Sequence, residues 1–384
     1  MLAILLLSIF IALVLVRKIG IGPALLIASL FLGFSSIGAS LELLKSYLHP
    51  QSFEVLFLLI LTYFLAQSMD HFGFLERVSN SFSSSFGALS LAMIPLIVGL
   101  IPMPAGALVS ATMLLPMLKS GKLSAERLTV INYWFRHVWT TIWPLYPSVI
   151  IALAVLGKDY SYYASLVFPI SLFSFLAGFL LLSGFERSFR PENLKEGIIA
   201  LYPILCLIFL YLATKMLIFA VAVSIVLLLI DKKPDFANIR ILIMKAVDLR
   251  LIVLVFAVMG YKNIIEASNL AQLISTELSY LPVPQIAFIL AFIVGFSTGI
   301  ELSYSSIVLP VFIGTAEESG TLLMLILGGF VGVILSPFHL CFALTIEFFK
   351  ANMYKCYLIL LKPVIVLILA ISSILLLQWL KLIV

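Results

Sequence analysis

A single carboxylate stands out in the stretch IVGFSTGIELSYSSIVLP, residues 293–310, which begins and ends as apolar sequence. Glu301 sits there among Ser297, Thr298, Ser303, Ser305 and Ser306. A carboxylate with hydroxyl oxygens is a set of hard oxygen ligands, suited to a sodium ion or, at the carboxylate, a proton. An ionisable group inside a membrane segment is costly, by roughly 2.5–3.5 kcal/mol on insertion scales, and by default marks an ion path or site. The plainer reading is a glutamate at a turn that faces an aqueous vestibule. A second set lies in FRHVWTTIWPLYP, residues 135–147, where Arg136 and His137 precede Thr140 and Thr141. The guanidinium offers a planar fork to a carboxylate or phosphate. Arg136 is also close enough to the start of its span to snorkel to the interface, and both readings stay open. His137 points about 100° away from Arg136 on a helix and reads as a hydrogen-bonded packing residue. A third set, Ser336 and His339 in SPFHL, follows the same proline-broken pattern, and Pro102, Pro104 and Gly106 in PMPAG read as a tight turn.

Enzyme motifs are absent. There is no HExxH, GxSxG or phosphate-binding loop, and the four histidines fall on different segments. Cys206, Cys341 and Cys356 have no metal-ligand spacing and read as packing residues. The chain is therefore expected not to be an enzyme.

The elements that must position these residues are membrane spans. The 384 residues are 63% hydrophobic and 11% charged, with a mean hydropathy of +1.23, far from the roughly 25% charge of an ordinary soluble domain. The N-terminal run lacks a basic start and a small-residue cleavage site, and reads as a retained first span. Runs near the 20 residues or so that a span needs fall at 2–17, 20–37, 53–70, 126–157 and 161–183, then at 196–213, 215–230, 247–261, 321–349 and 356–383. Between them lie two blocks, 86–118 and 282–314, too long for one span and too short for two. These are expected to be re-entrant hairpins, since irregular backbone at membrane depth is tolerated where it is buried in protein or lines a cavity.

The order is the same in both halves, so an odd number of spans per half predicts inverted repeats: 1–190, with hairpin 86–118 and broken helix 126–157, and 191–384, with hairpin 282–314 and broken helix 321–349. LIVGLIPMPAGALVSATMLLP, residues 96–116, aligns with FIVGFSTGIELSYSSIVLP, residues 292–310, across a two-residue gap. Pro116 is 28 residues before Pro144, and Pro310 is 27 before Pro337. Each later proline interrupts a span at mid-length. With both termini outside, 17 of the 23 Lys and Arg residues fall on the inner side and 5 on the outer, with Arg136 inside a span. The net charge of +5 is thus explained by topology, and the scattered basic residues do not form a nucleic-acid surface.

The hairpin and broken-helix pattern resembles the ion transporter superfamily of dicarboxylate, gluconate, arsenite and sodium/proton carriers. Within it, IPMPAGALVSATM and NYWFRHVWTTIWPLYP are similar to the domain-of-unknown-function 401 membrane family. The resemblance implies substrate binding between hairpin tips and broken helices, elevator-type movement and a homodimer. The carboxylate carriers hold Ser-Asn-Thr at their tips, whereas this chain has Pro-Met-Pro-Ala-Gly and Ser-Thr-Gly-Ile-Glu, so their substrate and ion do not transfer.

The resulting expectation is an all-α polytopic inner-membrane protein of about ten spans, two re-entrant hairpins and two inverted repeats. It is expected to carry a small organic or inorganic anion with sodium or protons, in the lipid bilayer, without other cofactors. Substrate would be bound by Pro102, Pro104, Gly106, Arg136, Thr140, Thr141, Ser297, Thr298, Ser336 and His339, and the coupling ion by Glu301, Ser303, Ser305 and Ser306. A cation/proton antiporter and, in another class, an intramembrane enzyme or lipid-handling protein are the alternatives.

Overall fold

A computed structural model of the chain describes residues 2–74, 76–78, 80–81, 89–102, 106–119, 123–182, 194–268, 282–315 and 319–379. Every regular element among these residues is helical, as apolar segments that must satisfy their own backbone groups in lipid require. The first half contains α1 (Leu2–Ile19), α2 (Ile21–Ser36), α3 (Leu41–Tyr47), α4 (Pro50–His71), α5 (Ser90–Val98), α6 (Gly106–Lys119), α7 (Ala125–His137), α8 (Pro147–Leu156) and α9 (Tyr160–Gly178). The second contains α10 (Leu194–Ala200), α11 (Tyr202–Thr214), α12 (Leu217–Lys232), α13 (Phe236–Ala246), α14 (Leu249–Ala267), α15 (Val283–Thr298), α16 (Glu301–Ser303), α17 (Ser319–Leu335), α18 (Leu340–Phe349) and α19 (Met353–Trp379).

Among the described residues, Leu41–His71, Tyr160–Leu182, Gly320–Phe349 and Met353–Leu377 are long and apolar enough to cross a bilayer, and the pair Leu194–Ala200 and Tyr202–Thr214, bent by 59°, would be a fifth. Large apolar side chains on helix surfaces, among them Phe209, Leu212, Ile230, Ile365 and Leu369, are exposed. Such surfaces are stable against lipid tails. These helices are compatible with a multi-pass membrane protein.

Two elements fall where no span was expected. α3 is a short helix capped by Ser40, whose Oγ accepts from Leu43 N at 3.3 Å. α13 is capped by Asp235, which accepts from Asn238 N at 2.8 Å, and it exposes Phe236, Ile243 and Met244. Its 11 residues are too few to span, and its apolar exposed side suits an interfacial position.

The chain divides into two compact units. The first comprises Met1–Phe57, Tyr146–Ile170 and Asp248–His339. In it, α2 lies on α14, with Gly22 against the backbone of Leu254 and Arg250. Buried hydroxyls pair across helices: Ser8 Oγ with Tyr261 Oη at 3.1 Å and Ser29 Oγ with Tyr47 Oη at 2.8 Å. α15 and α17 approach closely, because Gly328 and Gly332 face the carbonyls of Phe288 and Phe292, and Gly295 faces the carbonyl of Gly329. Small residues let the backbones approach and maximise dispersion contact where lipid supplies no hydrophobic driving force.

The second unit comprises Leu58–Leu145, Ser171–Val247 and Leu340–Val384. Here α7 is the central helix, packed on α5, α6, α18 and α19. Ser124 caps it by accepting from Arg127 N at 3.2 Å. Tyr133 stacks on Phe342 with ring centroids 4.7 Å apart, and Trp134 Nε1 donates to Ser174 O at 2.8 Å. Gly99, at the end of α5, lies against the Arg136 carbonyl with no room for a Cβ.

Candidate functional site

The first set of candidate residues lies within the second unit. α5 ends at Val98, the chain turns through Gly99–Pro102, and α6 begins at Gly106. Pro102 and Gly106 are buried, and Pro104 lies outside the described residues. The start of α6 is fixed to α7, since Asn132 Nδ2 donates to Ala107 O at 3.0 Å. α7 ends at His137, and residues 138–146 form a break of tight turns before Pro147 starts α8. Pro144 within the break cannot donate a backbone hydrogen bond, which accounts for the interruption.

At the end of α7, Arg136 and His137 are each 3% exposed. His137 Nδ1 is 2.6 Å from Tyr133 O, and since a carbonyl only accepts, Nδ1 carries the proton. The same ring meets Tyr133 edge-on. His137 is thus held as a packing residue. Thr140 Oγ1 donates to His137 O at 3.0 Å, and Thr141 Oγ1 lies 3.0 Å from Ser171 Oγ.

The second set lies within the first unit. α15 ends at Thr298, Gly299 follows with φ +66°, and Ile300 is extended. The chain then continues as α16, a π-helical turn over Tyr304–Val308 and a 3-10 turn over Leu309–Phe312. A π turn interrupts the regular ladder and is frequent at functional sites. The tip is pinned to the break after α17 by two bonds: His339 Nδ1 donates to Gly299 O at 2.7 Å, and Ser336 Oγ donates to Phe296 O at 2.7 Å. Gly299 is obligatory twice over, by its positive φ and because a Cβ would lie 2.7 Å from His339 N.

Most hydroxyl hydrogens in this set are committed. Ser303 Oγ donates to Ile300 O at 2.6 Å and Ser306 Oγ to Leu302 O at 2.6 Å. Thr298 Oγ1 lies 2.8 Å from Val294 O and 2.7 Å from Ser303 Oγ. A hydroxyl that has given its hydrogen to a carbonyl keeps acceptor lone pairs, so these groups remain able to hold a cation and are poor donors to an anion. Ser305 is buried, while Ser297 and Glu301 are half-buried at the tip. Each set is thus assembled locally within its own unit.

Four polar groups escaped the sequence reading. On α7, Thr129 and Asn132 are 0% exposed, and Thr129 Oγ1 and Asn132 Oδ1 have no hydrogen-bond partner among the described residues. Placing the Asn132 amide nitrogen on Ala107 O fixes which way the amide points. In the break, the indole nitrogens of Trp139 and Trp143 likewise have no hydrogen-bond partner among the described residues. The visible signal was the unusual WTTIWP run, where the threonines and proline drew attention away from the tryptophans.

A cavity of about 410 Å³ also lies in the second unit, lined by Asp70, Gly73, Glu76, Asn80, Val109, Thr112 and Met113. Its acidic residues are exposed at the end of α4 and just beyond it, and none of its lining residues is among those singled out above. A search of curated proteins gives no match. The model of the family described as protein of unknown function (DUF401) matches residues 1–380, and the chain belongs to that family.

Proposed function

We propose that the protein is a secondary active carrier for a small organic or inorganic anion, coupled to sodium or protons and working by an elevator-type cycle. The proposal includes ten spans with two re-entrant hairpins, inverted repeats 1–190 and 191–384, both termini outside the inner membrane, and a homodimer. One observation carries it. In the stretches LIVG and FIVG, Gly99 and Gly295 occupy matching places, and each lies against a carbonyl of the broken helix that follows: Arg136 O and Gly329 O. The facing residue is followed eight positions later by the helix-breaking proline, Pro144 in one case and Pro337 in the other. Two unrelated hairpins would have no reason to share a contact and a break at one spacing.

The composition of the units supports the same reading. Residues 58–145 supply a hairpin and the first half of a broken helix to the second unit, and 248–339 supply the corresponding parts to the first. The remaining half-helices, α8 and α18, each belong to the opposite unit from their first halves. Broken helices in corresponding positions of two repeats are the architecture that places half-helix ends at a transport site.

Charge supports the division of labour. The buried guanidinium of Arg136 suits an anion, whereas Glu301 and the committed hydroxyls of Thr298, Ser303 and Ser306 suit a cation. The test is a thermal-shift screen of purified protein with organic and inorganic anions, with sodium, with lithium and at low pH. Stabilisation by an anion that depends on sodium or on protons supports symport. Stabilisation by cations alone points to antiport, and lipid turnover with neither would overturn the carrier reading.

A further inference from the structure

A cluster of aromatic and charged residues in the second unit has no part in the candidate site. The ring of Phe74, just beyond α4, is 1% exposed. The Arg77 guanidinium lies 4.6 Å from its centroid and the Lys232 ammonium 4.9 Å from it, both within cation–π range. One apolar ring thus gathers two positive charges from separate segments. Tyr202 meets the same ring edge-on at 5.6 Å, and its hydroxyl donates to Asp231 Oδ2 at 3.0 Å. These contacts bring together the end of α4, the start of α11 and the end of α12. α13 begins at the same place, since His71 Nε2 lies 3.1 Å from Asn238 Oδ1. Apolar helices that end together beside a tyrosine and lysines mark a boundary between hydrocarbon and headgroups.

The positive charge here is only partly cancelled. Asp231 pairs with Lys232 at 2.8 Å, and no other ion pair involves this cluster among the described residues. Arg77 is exposed and gives only two long bonds, 3.4 Å each, to the carbonyls of Gly73 and Phe72, so most of its donor fork is open. Lys233, Arg240 and Lys245 are exposed around α13, against the single acid Asp235. The other nearby acids, Asp70 and Glu76, line the cavity shared with Val109 and Thr112. Beside these cations α13 offers an apolar surface, with Phe236 81% and Met244 67% exposed.

We propose that Arg77 and Lys232 hold the phosphate of an anionic phospholipid, with α13 lying along the headgroup boundary and its exposed apolar side chains against the acyl chains. A guanidinium fork matches two phosphate oxygens, and an ammonium adds a compact charge. A short helix with apolar exposure and basic residues is the kind that lies in the interface and is drawn to anionic lipid. A zwitterionic lipid carries the same phosphate, but its terminal cation would add to a surface already in positive excess. A free phosphate ester would make no use of the apolar surface. The inference needs only that the chain lies in a bilayer and is independent of what the protein carries.

The test uses the full chain, delipidated in a neutral detergent and titrated with phosphatidylglycerol, phosphatidylcholine or glycerol 3-phosphate, with bound molecules counted by native mass spectrometry. Phosphatidylglycerol is expected to bind more tightly than phosphatidylcholine, and less so as salt is added. Arg77→Gln and Lys232→Gln should each weaken phosphatidylglycerol binding by about fivefold, the effect of one basic residue near an anionic surface, and leave phosphatidylcholine binding unchanged. Asp231→Asn keeps an acceptor for Tyr202 and frees Lys232, so it should tighten phosphatidylglycerol binding at least about twofold. Equal binding of the two lipids, or a preference unchanged in all three variants, would overturn the inference. Glycerol 3-phosphate binding as tightly as phosphatidylglycerol would assign the site to free phosphate esters and overturn the lipid reading. If a glutamine variant does not fold, the other one and Asp231→Asn decide the question.

Discussion

Glu301, Gly99 and Gly299 show how differently single residues can be necessary. Glu301→Gln keeps the size and hydrogen-bonding capacity of the side chain and removes its charge. On the carrier reading, anion uptake by reconstituted protein loses its dependence on the driving cation, and unchanged cation dependence would remove Glu301 from the mechanism. Gly99→Val is a packing experiment, because a Cβ there meets the Arg136 carbonyl. Overpacking of this kind costs about 1–3 kcal/mol, so a lowered melting temperature is expected. Gly299→Ala places a side chain at φ +66° and against His339 N, and a loss of about 1–3 kcal/mol in denaturant unfolding is expected. Much of this level was legible in the letters. Glu301 was conspicuous as an acid in an apolar stretch, and Gly99 and Gly295 were visible as aligned glycines. Trp139, Trp143, Thr129 and Asn132 were not, since an aromatic or amide in a helix reads as packing until its polar atom is seen to lack a partner.

At the scale of elements, proline and glycine wrote the breaks plainly. Residues 138–146 and 336–339 interrupt helices at Pro144 and Pro337, and Gly299 turns the second tip. What the letters did not show is how the second tip is fastened. The Ser336–Phe296 and His339–Gly299 bonds link residues 40 apart, and no local pattern announces a long-range side-chain bond to a carbonyl. Ser336→Ala should lower stability by about 1 kcal/mol, the net value of a typical hydrogen bond, with a larger loss if the Phe296 carbonyl finds no other donor. Hydrogen exchange at the tip amides 297–303 should rise with it. Unchanged protection would mean that the tip is held by packing alone. The short helices α3 and α13 were also invisible to span counting, because neither is long enough to give a hydropathy signal, although Ser40 and Asp235 are recognisable caps.

At the scale of the molecule, the all-helical, membrane-compatible class followed from composition, because a chain with 11% charged residues cannot cover a soluble surface. Topology is a sharper claim. The proposed orientation, with both termini outside, would put Lys158 on the outer side and Lys232 on the inner side. In a variant lacking Cys206, Cys341 and Cys356, a cysteine at position 158 should react with an impermeant maleimide added to intact cells, and one at position 232 only after permeabilisation. The opposite pattern would reverse the orientation, and equal labelling would remove the inverted arrangement.

The most direct measurement of the central claim is accumulation of radiolabelled small organic and inorganic anions by proteoliposomes holding the full chain, with an imposed sodium or proton gradient. The account predicts uphill uptake under one of the two gradients and collapse of that uptake when the gradient is dissipated. Reconstituted, folded protein that moves no anion under either gradient would contradict it.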